Sequence, residues 1–279
     1  MENGMKIGII GLGLIGGSLA LAIKEKTDHL VYAANRTFSV LERAANEGAI
    51  DGILEDPSEM DLLILTAYPA AAMDWLKENG AKLGKNQTVV DCCGTKQEIC
   101  ALGWQKAREH GFTFVGGHPM AGREFSGYDY AKGSLFAGAT MILVTETGES
   151  PASWLQEFFL SLGFGSIKET DPVSHDRIIA YTSQLAHLLS NAYVQSPTAM
   201  KSQGFTGGSF QDLTRVAYLN EEMWTKLFLE NKPLLMEELE TLIASLNAYH
   251  TALQQEDAET LKSLLKKGKE QKIACGIRS

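Results

Sequence analysis

The chain has 279 residues, 44% of them hydrophobic and 21% charged, enough for one large globular domain or two smaller ones. A net charge of −9 argues against a nucleic-acid or anionic-membrane surface, and no uninterrupted apolar run reaches the roughly 18 residues that a membrane span needs. The four cysteines, Cys92, Cys93, Cys100 and Cys275, form no CxxC pair and no zinc spacing, so no metal is expected. Reduced thiols in a cytoplasmic protein with a small-molecule partner are the expectation.

The first 23 residues are apolar enough to suggest a leader, yet glycines interrupt them and the only basic residue is Lys6. A strand (Met5–Ile10), a turn and a helix (Ser18–Lys26) explain them better. The turn, Gly11-Leu12-Gly13-Leu14-Ile15-Gly16, fits GxGxxG between strand and helix, the context in which this motif binds a dinucleotide. Gly11 permits the turn, Gly13 lets the backbone reach a pyrophosphate, and Gly16 allows close helix–strand packing. The next strand, Leu30–Ala34, ends in Asn35-Arg36-Thr37, where an NAD site usually carries an acid for the ribose 2′-hydroxyl. With no carboxylate to repel a 2′-phosphate, Arg36 can pair with one while Asn35 or Thr37 donates hydrogen bonds, which favours NADP. The alternative is that Arg36 lies over the adenine and tolerates NAD as well.

Further apolar runs at Leu62–Thr66, Thr88–Asp91 and Phe112–Val115 read as parallel strands buried on both faces. Phe38–Glu47, Ala70–Asn79 and Lys96–Glu109 read as the helices between them, and Thr140–Val144 and Phe164–Lys168 as strands that extend the sheet. This alternation predicts a doubly wound α/β domain of Rossmann type over residues 1–170. Ligands bind outside the carboxyl ends of such strands, so Thr66, Ala67 and Tyr68, the segment Asp91–Lys96, and His118 should converge on a nicotinamide. His118 is expected in a glycine-bracketed loop, Gly116 to Gly122, as a base for a substrate hydroxyl. Taken alone it reads equally well as a buried histidine at a strand end.

From Asp171 the pattern becomes helical, which predicts an all-α second domain over residues 171–279. Its first helix, capped by Asp171 or Ser174 and running to about Gln195, carries Ser183, His187 and Asn191 on one face. A polar stripe on an apolar helix needs partners, from protein or ligand; His187 alone would pass for a satisfied core histidine. After a Gly/Ser-rich stretch, Asp212 and Arg215 stand in an apolar setting. The arginine suits a carboxylate, and a structural pair at i, i+3 is the alternative. Leu235, Leu239, Leu242, Leu246, Tyr249 and Leu253 form a heptad-like stripe, read as domain core or as a contact with a second subunit. His29, His110 and His250 read as surface residues, and His175 as structural.

From Lys6 to about Leu253 the chain resembles the prephenate dehydrogenase family, which includes arogenate dehydrogenases. The resemblance rests on GLGLIGGSLA at Gly11–Ala20, GGHPMAGRE at Gly116–Glu124, SHDRIIAYTSQLAH at Ser174–His187, FQDLTRVA at Phe210–Ala217 and MWTKLFLENK at Met223–Lys232. It implies oxidative decarboxylation of a cyclohexadienyl acid, with prephenate as the leading substrate and arogenate the alternative, in a homodimer built through the helical domain. His118 would assist deprotonation of the ring hydroxyl, His187 and Arg215 would orient the substrate, and Glu124, Ser183 and Asp212 would stand near it, Asp212 supporting Arg215. The family commonly has a serine where this chain has Gly94, so Thr95 or a water is expected to supply that hydroxyl. Little chain follows the helical domain, so any inhibition by tyrosine is expected at the active site. Two other classes compete. β-Hydroxyacid dehydrogenases resemble a pattern with a lysine on the first interdomain helix, which is absent between Ser174 and Gln195. A nucleotide sensor without turnover would not need His118, His187 and Arg215 together.

Overall fold

The computed structural model describes residues 4–122, 125–146 and 150–276. Its first part runs β1 (Lys6–Ile10), α1 (Leu14–Lys26), β2 (Leu30–Ala34), α2 (Phe38–Asn46), β3 (Gly52–Ile53), β4 (Leu62–Leu65), α3 (Pro69–Asn79), β5 (Thr88–Asp91) and α4 (Gln97–His110). It continues with β6 (Thr113–Pro119), β7 (Thr140–Val144), α5 (Ser153–Ser161) and β8 (Ser166–Thr170). The strands make one eight-stranded sheet in the order β3-β2-β1-β4-β5-β6-β7-β8. All neighbours run parallel except β6 and β7. The continuous apolar strands have their cause in two cores. Ile7, Ile9, Leu62 and Ile64 face α1 and α5 on one side of the sheet, while Ile10, Leu63, Leu65 and Val89 face α3 and α4 on the other.

Three features depart from the sequence reading. β3 is two residues long, too short for any periodicity to show. β8 begins at Ser166, two residues later than expected, with its register against β7 starting at Thr140↔Ser166; at Gly165 a Cβ would stand 2.8 Å from the Gly138 carbonyl oxygen. Most important, His118 does not sit in a loop. β6 continues through it, pairing His118↔Ile142 and Pro119↔Met141 with antiparallel β7. The two glycines before it answer to crowding rather than to flexibility. A Cβ on Gly116 would stand 2.6 Å from Cys100 Sγ, and one on Gly117 2.4 Å from the Asp91 carbonyl oxygen. Between β6 and β7 no α-helix crosses the sheet among the described residues. Instead the chain tucks Tyr128 and Phe136 into the core beside α1, where Lys132 N–H donates to Ser18 Oγ (2.9 Å), and returns antiparallel.

Beyond Thr170 the described residues contain helices and no strand. α6 (Pro172–Ile179) is capped by Asp171, whose carboxylate accepts from Ser174 N–H at 2.9 Å. It runs through a wider π-type turn, Ala180–Leu185, into α7 (Ala186–Val194), so the expected long helix is real but not uniform. α8 (Gly208–Thr214), α9 (Glu221–Glu230), α10 (Lys232–Gln254) and α11 (Ala258–Ala274) complete the chain. In this half few apolar side chains are fully covered, chiefly Ile179, Leu185, Leu234 and Leu235. The α10 stripe passes from buried Leu235 to Leu246 and Leu253, which are 52% and 63% exposed.

Candidate active site

The glycine turn after β1 is built for a ligand that approaches its backbone. Gly11 has φ +102°, open only to glycine without strain. A Cβ on Gly16 would lie 1.9 Å from the Gly11 carbonyl oxygen, so that glycine is demanded by the protein itself. A Cβ on Gly13 would meet no atom of the described residues within 4 Å. Gly13 is also the N-cap of α1, no side chain caps it, and the first turn carries no acid. Uncapped helix-start amides with a partial positive charge fit a pyrophosphate. Thr66 Oγ1 donates to the carbonyls of Ile10 and Gly11, so its hydroxyl pins the turn. Ala67 is half-buried and Tyr68, at the start of α3, is exposed at the same end of the sheet.

The end of β2 differs in detail from expectation. Asn35 Oδ1 accepts from Leu12 N–H (3.0 Å) and its Nδ2 donates to the Thr37 carbonyl (3.0 Å), so this amide braces the glycine turn instead of reaching for a phosphate. Arg36 is exposed and joins no ion pair among the described residues.

His118 meets a partner that sequence reasoning treated as merely structural. Its Nδ1 lies 2.9 Å from Nε2 of buried His175, whose Nδ1 lies 2.7 Å from Asp176 Oδ1. The Asp176 carboxylate also takes the amides at the start of α4, from Lys96 N–H (2.8 Å) and Gln97 N–H (3.0 Å). Although burial works to raise it, these bonds, led by that from His175, hold its pKa below the ordinary value. An ionised Asp176 only accepts, so His175 Nδ1 is the donor. Neutral His175 then accepts at Nε2, His118 Nδ1 must donate, and the lone pair of His118 falls on Nε2. Burial lowers the pKa of His118 well below the usual histidine value, and His175 and Lys96 push the same way. His175 is lowered chiefly by burial as well, against the pull of Asp176.

Beneath this chain lies Lys96, fully buried. Its ammonium pairs with Asp91 and donates to the Gly117 carbonyl (2.7 Å), immediately before His118. Asp91 in turn accepts from Cys93 N–H at 2.8 Å. Burial pushes the Cys92, Cys93 and Cys100 thiols up, so they are protonated and inert as nucleophiles.

On the helical side, the π-type turn directs the Ser183 carbonyl to His187, whose Nδ1 donates to it at 2.8 Å. His187 stacks on Trp224 (ring centroids 4.1 Å apart, 28° between planes), leaving Nε2 to accept. Burial lowers its pKa and the charge of Arg215 pushes the same way. Asn191 is taken up by the Ala217 carbonyl (3.0 Å), so the third member of the stripe holds the chain after α8. The expected support of Arg215 by Asp212 does not form. Both are exposed, and no ion pair links them among the described residues. Thr95 also departs from its expected place beside His118. Its hydroxyl donates to Glu230 Oε2 (3.0 Å), across to α9. At Gly94 a Cβ would be 3.2 Å from Leu227 Cδ2, so α9 comes close to the space a serine would occupy. Glu124 lies outside the described residues.

Trp224, His175 and Asp176 are the residues of this region that sequence reasoning missed; Lys96 was expected at this end of the sheet, but not as a buried cation. The one local signal was the His-Asp pair itself, and a neighbouring acid does not say what the far ring nitrogen faces.

A glycine turn at an uncapped helix start, with neutral histidines at the edge between sheet and helices, defines a nicotinamide-nucleotide-dependent dehydrogenase with a helical second domain. Comparison with known proteins specifies the family. Residues 19–162 match the family model described as prephenate dehydrogenase, nucleotide-binding domain, and residues 171–267 match prephenate dehydrogenase, dimerization domain. The prephenate dehydrogenase of Lactococcus lactis is 30% identical, covering 98% of this chain and 78% of the relative. The cyclohexadienyl dehydrogenase of Zymomonas mobilis is 29% identical over 96% of this chain and 95% of its own. Among solved structures, the arogenate dehydrogenase of Synechocystis superposes with TM-score 0.81 at 26% identity, covering 97% and 99% of the two chains. The prephenate dehydrogenase of A. aeolicus, solved with hydroxyphenyl propionate and NAD+, gives 0.80 at 27% identity, covering 97% and 98%. The chain belongs to the prephenate dehydrogenase family and is an oxidoreductase that uses a nicotinamide cofactor. No helix among the described residues is long and apolar enough to cross a membrane.

Proposed function

We propose that this enzyme converts prephenate to 4-hydroxyphenylpyruvate and CO2 with NADP as the preferred hydride acceptor, and that arogenate is the alternative substrate. The observation that carries the reading is His118, neutral and with its Nε2 lone pair unclaimed among the described residues, at the carboxyl end of β6. A bound nucleotide would supply the two-electron acceptor; the backbone of Gly13, Leu14 and Ile15 would hold its pyrophosphate, with Ala67 and Tyr68 at the same end of the sheet. His118 Nε2 takes the proton of the ring hydroxyl as the C–H electron pair leaves as hydride. The bond to the ring carboxylate then breaks, its electrons complete the aromatic ring, CO2 departs, and the phenolate oxygen recovers the proton. His187 Nε2 accepts a hydrogen bond from substrate, Ser183 lies one turn away, and Arg215 binds a carboxylate through its planar fork.

The preference for NADP rests on exposed Arg36 and on the absence of an acid at the end of β2. A two-by-two steady-state assay, prephenate or arogenate with NAD or NADP, tests substrate and cofactor together. Arg36→Ala is expected to raise KM for NADP about tenfold or more while leaving NAD nearly unchanged, as the loss of one charge-assisted pair requires. Equal effects on both nucleotides would remove the basis for NADP.

We also infer a homodimer through the helical domain. Leu246 and Leu253 of the α10 stripe, and Ile243, are exposed in the single chain and offer apolar side chains to a second copy.

A further inference from the structure

We propose that His175 and Asp176 form a positioning dyad for His118, which fixes its tautomer and stabilises the imidazolium formed during turnover. This rests on the reading of His118 as the base. The geometry is a chain of two short contacts, His118 Nδ1 to His175 Nε2 (2.9 Å) and His175 Nδ1 to Asp176 Oδ1 (2.7 Å). Histidine and aspartate are both buried, so neither is held there by solvent.

The chain crosses the boundary between the two halves of the molecule. His118 belongs to β6 of the nucleotide-binding part, whereas His175 and Asp176 belong to α6 of the helical part. Asp176 is anchored back on the first part by the amides of Lys96 and Gln97 and by Gln97 Nε2 at 3.2 Å. From the helical side, Asn231 Nδ2 donates to the Asp176 carbonyl (2.9 Å) and to Gln184 Oε1 (2.8 Å). The base therefore has the required tautomer only when α6 is docked against the sheet.

The proton accounting is closed. When Nε2 accepts the substrate proton, His118 becomes a cation whose Nδ1–H already points at His175. Positive charge spreads along the hydrogen bonds towards the Asp176 carboxylate, and the Nε2 proton returns to the phenolate oxygen after CO2 leaves. The charged and titratable groups that bear on the dyad are Lys96 and Asp91 beneath β6, Cys100 on α4, and Glu230 on α9. Lys96 opposes the cation and Asp176 favours it.

The test uses the full chain carrying His175→Phe, His175→Gln or Asp176→Asn, each checked for nucleotide binding by fluorescence. Phenylalanine keeps the ring volume and removes the acceptor; glutamine restores an acceptor. His175→Phe is expected to lower kcat roughly 10²-fold with substrate KM little changed, and His175→Gln to recover about a tenth or more of wild-type kcat, the range of a general base deprived of its orientation. Asp176→Asn is expected to lower the plateau of kcat/KM and to move its acid limb to lower pH, because the imidazolium loses its anion. A folded His175→Phe enzyme with wild-type kcat overturns the proposal, as does an Asp176→Asn profile that falls without moving. Failure of the wild type in all four substrate–nucleotide combinations would strike instead at the reaction. The dyad is then decided on resting protein by the 15N shifts of His118, with Nδ1 protonated in the wild type and that preference lost in His175→Phe; an unchanged tautomer overturns it.

Discussion

His118 carries the proposed chemistry through its far nitrogen, and its environment makes it a base that works below the ordinary histidine range. Its folded pKa is lowered by burial, so the neutral form persists as the medium is acidified. Activity limited by this group is expected to hold through pH 6.5 and to fall only below it; a kcat/KM profile with an acid limb above that value would contradict the assignment. The same shift links to stability with a definite sign. The unfolded chain binds a proton at His118 near pH 6.5 and the folded chain resists it, so stability is lost as pH falls below that point. His175 and His187 shift in the same direction and add to the slope, which urea titrations between pH 5 and 8 would reveal. Replacing His118 by Asn is expected to reduce kcat about 10²- to 10⁴-fold while nucleotide binding persists.

The turn between β1 and α1 allows two glycines of one motif to be told apart. Gly16→Ala must push a methyl into the Gly11 carbonyl at 1.9 Å, and overpacking of this severity costs about 3 kcal/mol or more. Gly13→Ala meets no atom of the described residues, so thermal stability should be nearly unchanged while nucleotide Kd rises about tenfold or more. Melting curves with and without NADP separate the two; equal loss of stability in both variants would contradict this account. The interdomain helix shows the same division of labour. Its π-type turn, Ala180–Leu185, brings the Ser183 carbonyl to His187 Nδ1 and so leaves Nε2 as an acceptor.

Over the whole molecule the two halves are unequally covered. The sheet carries two full cores, whereas the helices beyond Thr170 leave Leu246, Leu253, Tyr218 and Phe205 open. Light scattering is expected to give a dimer, and Leu246→Glu with Leu253→Glu to yield monomers or a large loss of Tm, since each charge would be buried at an apolar contact. A wild-type monomer at micromolar concentration would remove this reading. Between the halves, the bonds of Asp176 with the Lys96 and Gln97 amides and the Thr95–Glu230 hydrogen bond form the polar seam. Along it α9 brings Leu227 against Gly94, the position where the family commonly has a serine.

Much of this was legible in the order of residues alone, for a local reason. Apolar runs such as Leu62–Leu65 are strands because both faces of the sheet are covered, and the glycine spacing of Gly11, Gly13 and Gly16 is dictated by one turn of backbone. The helical second half followed from pattern in the same way, whereas His118, read in a glycine-bracketed loop, stands on β6. Contacts between segments far apart in the chain could not be read so. His175 looked structural because its partner lies 57 residues away. Lys96 looked like an ordinary helix start, and became a fully buried cation only when β5, β6 and α4 closed around it. Asn35, expected to reach a phosphate, was claimed by a backbone amide 23 residues earlier. Periodicity reports which face of an element is covered; which polar atoms meet there is decided by packing, because burial makes every donor and acceptor find a partner from whatever segment the fold brings near.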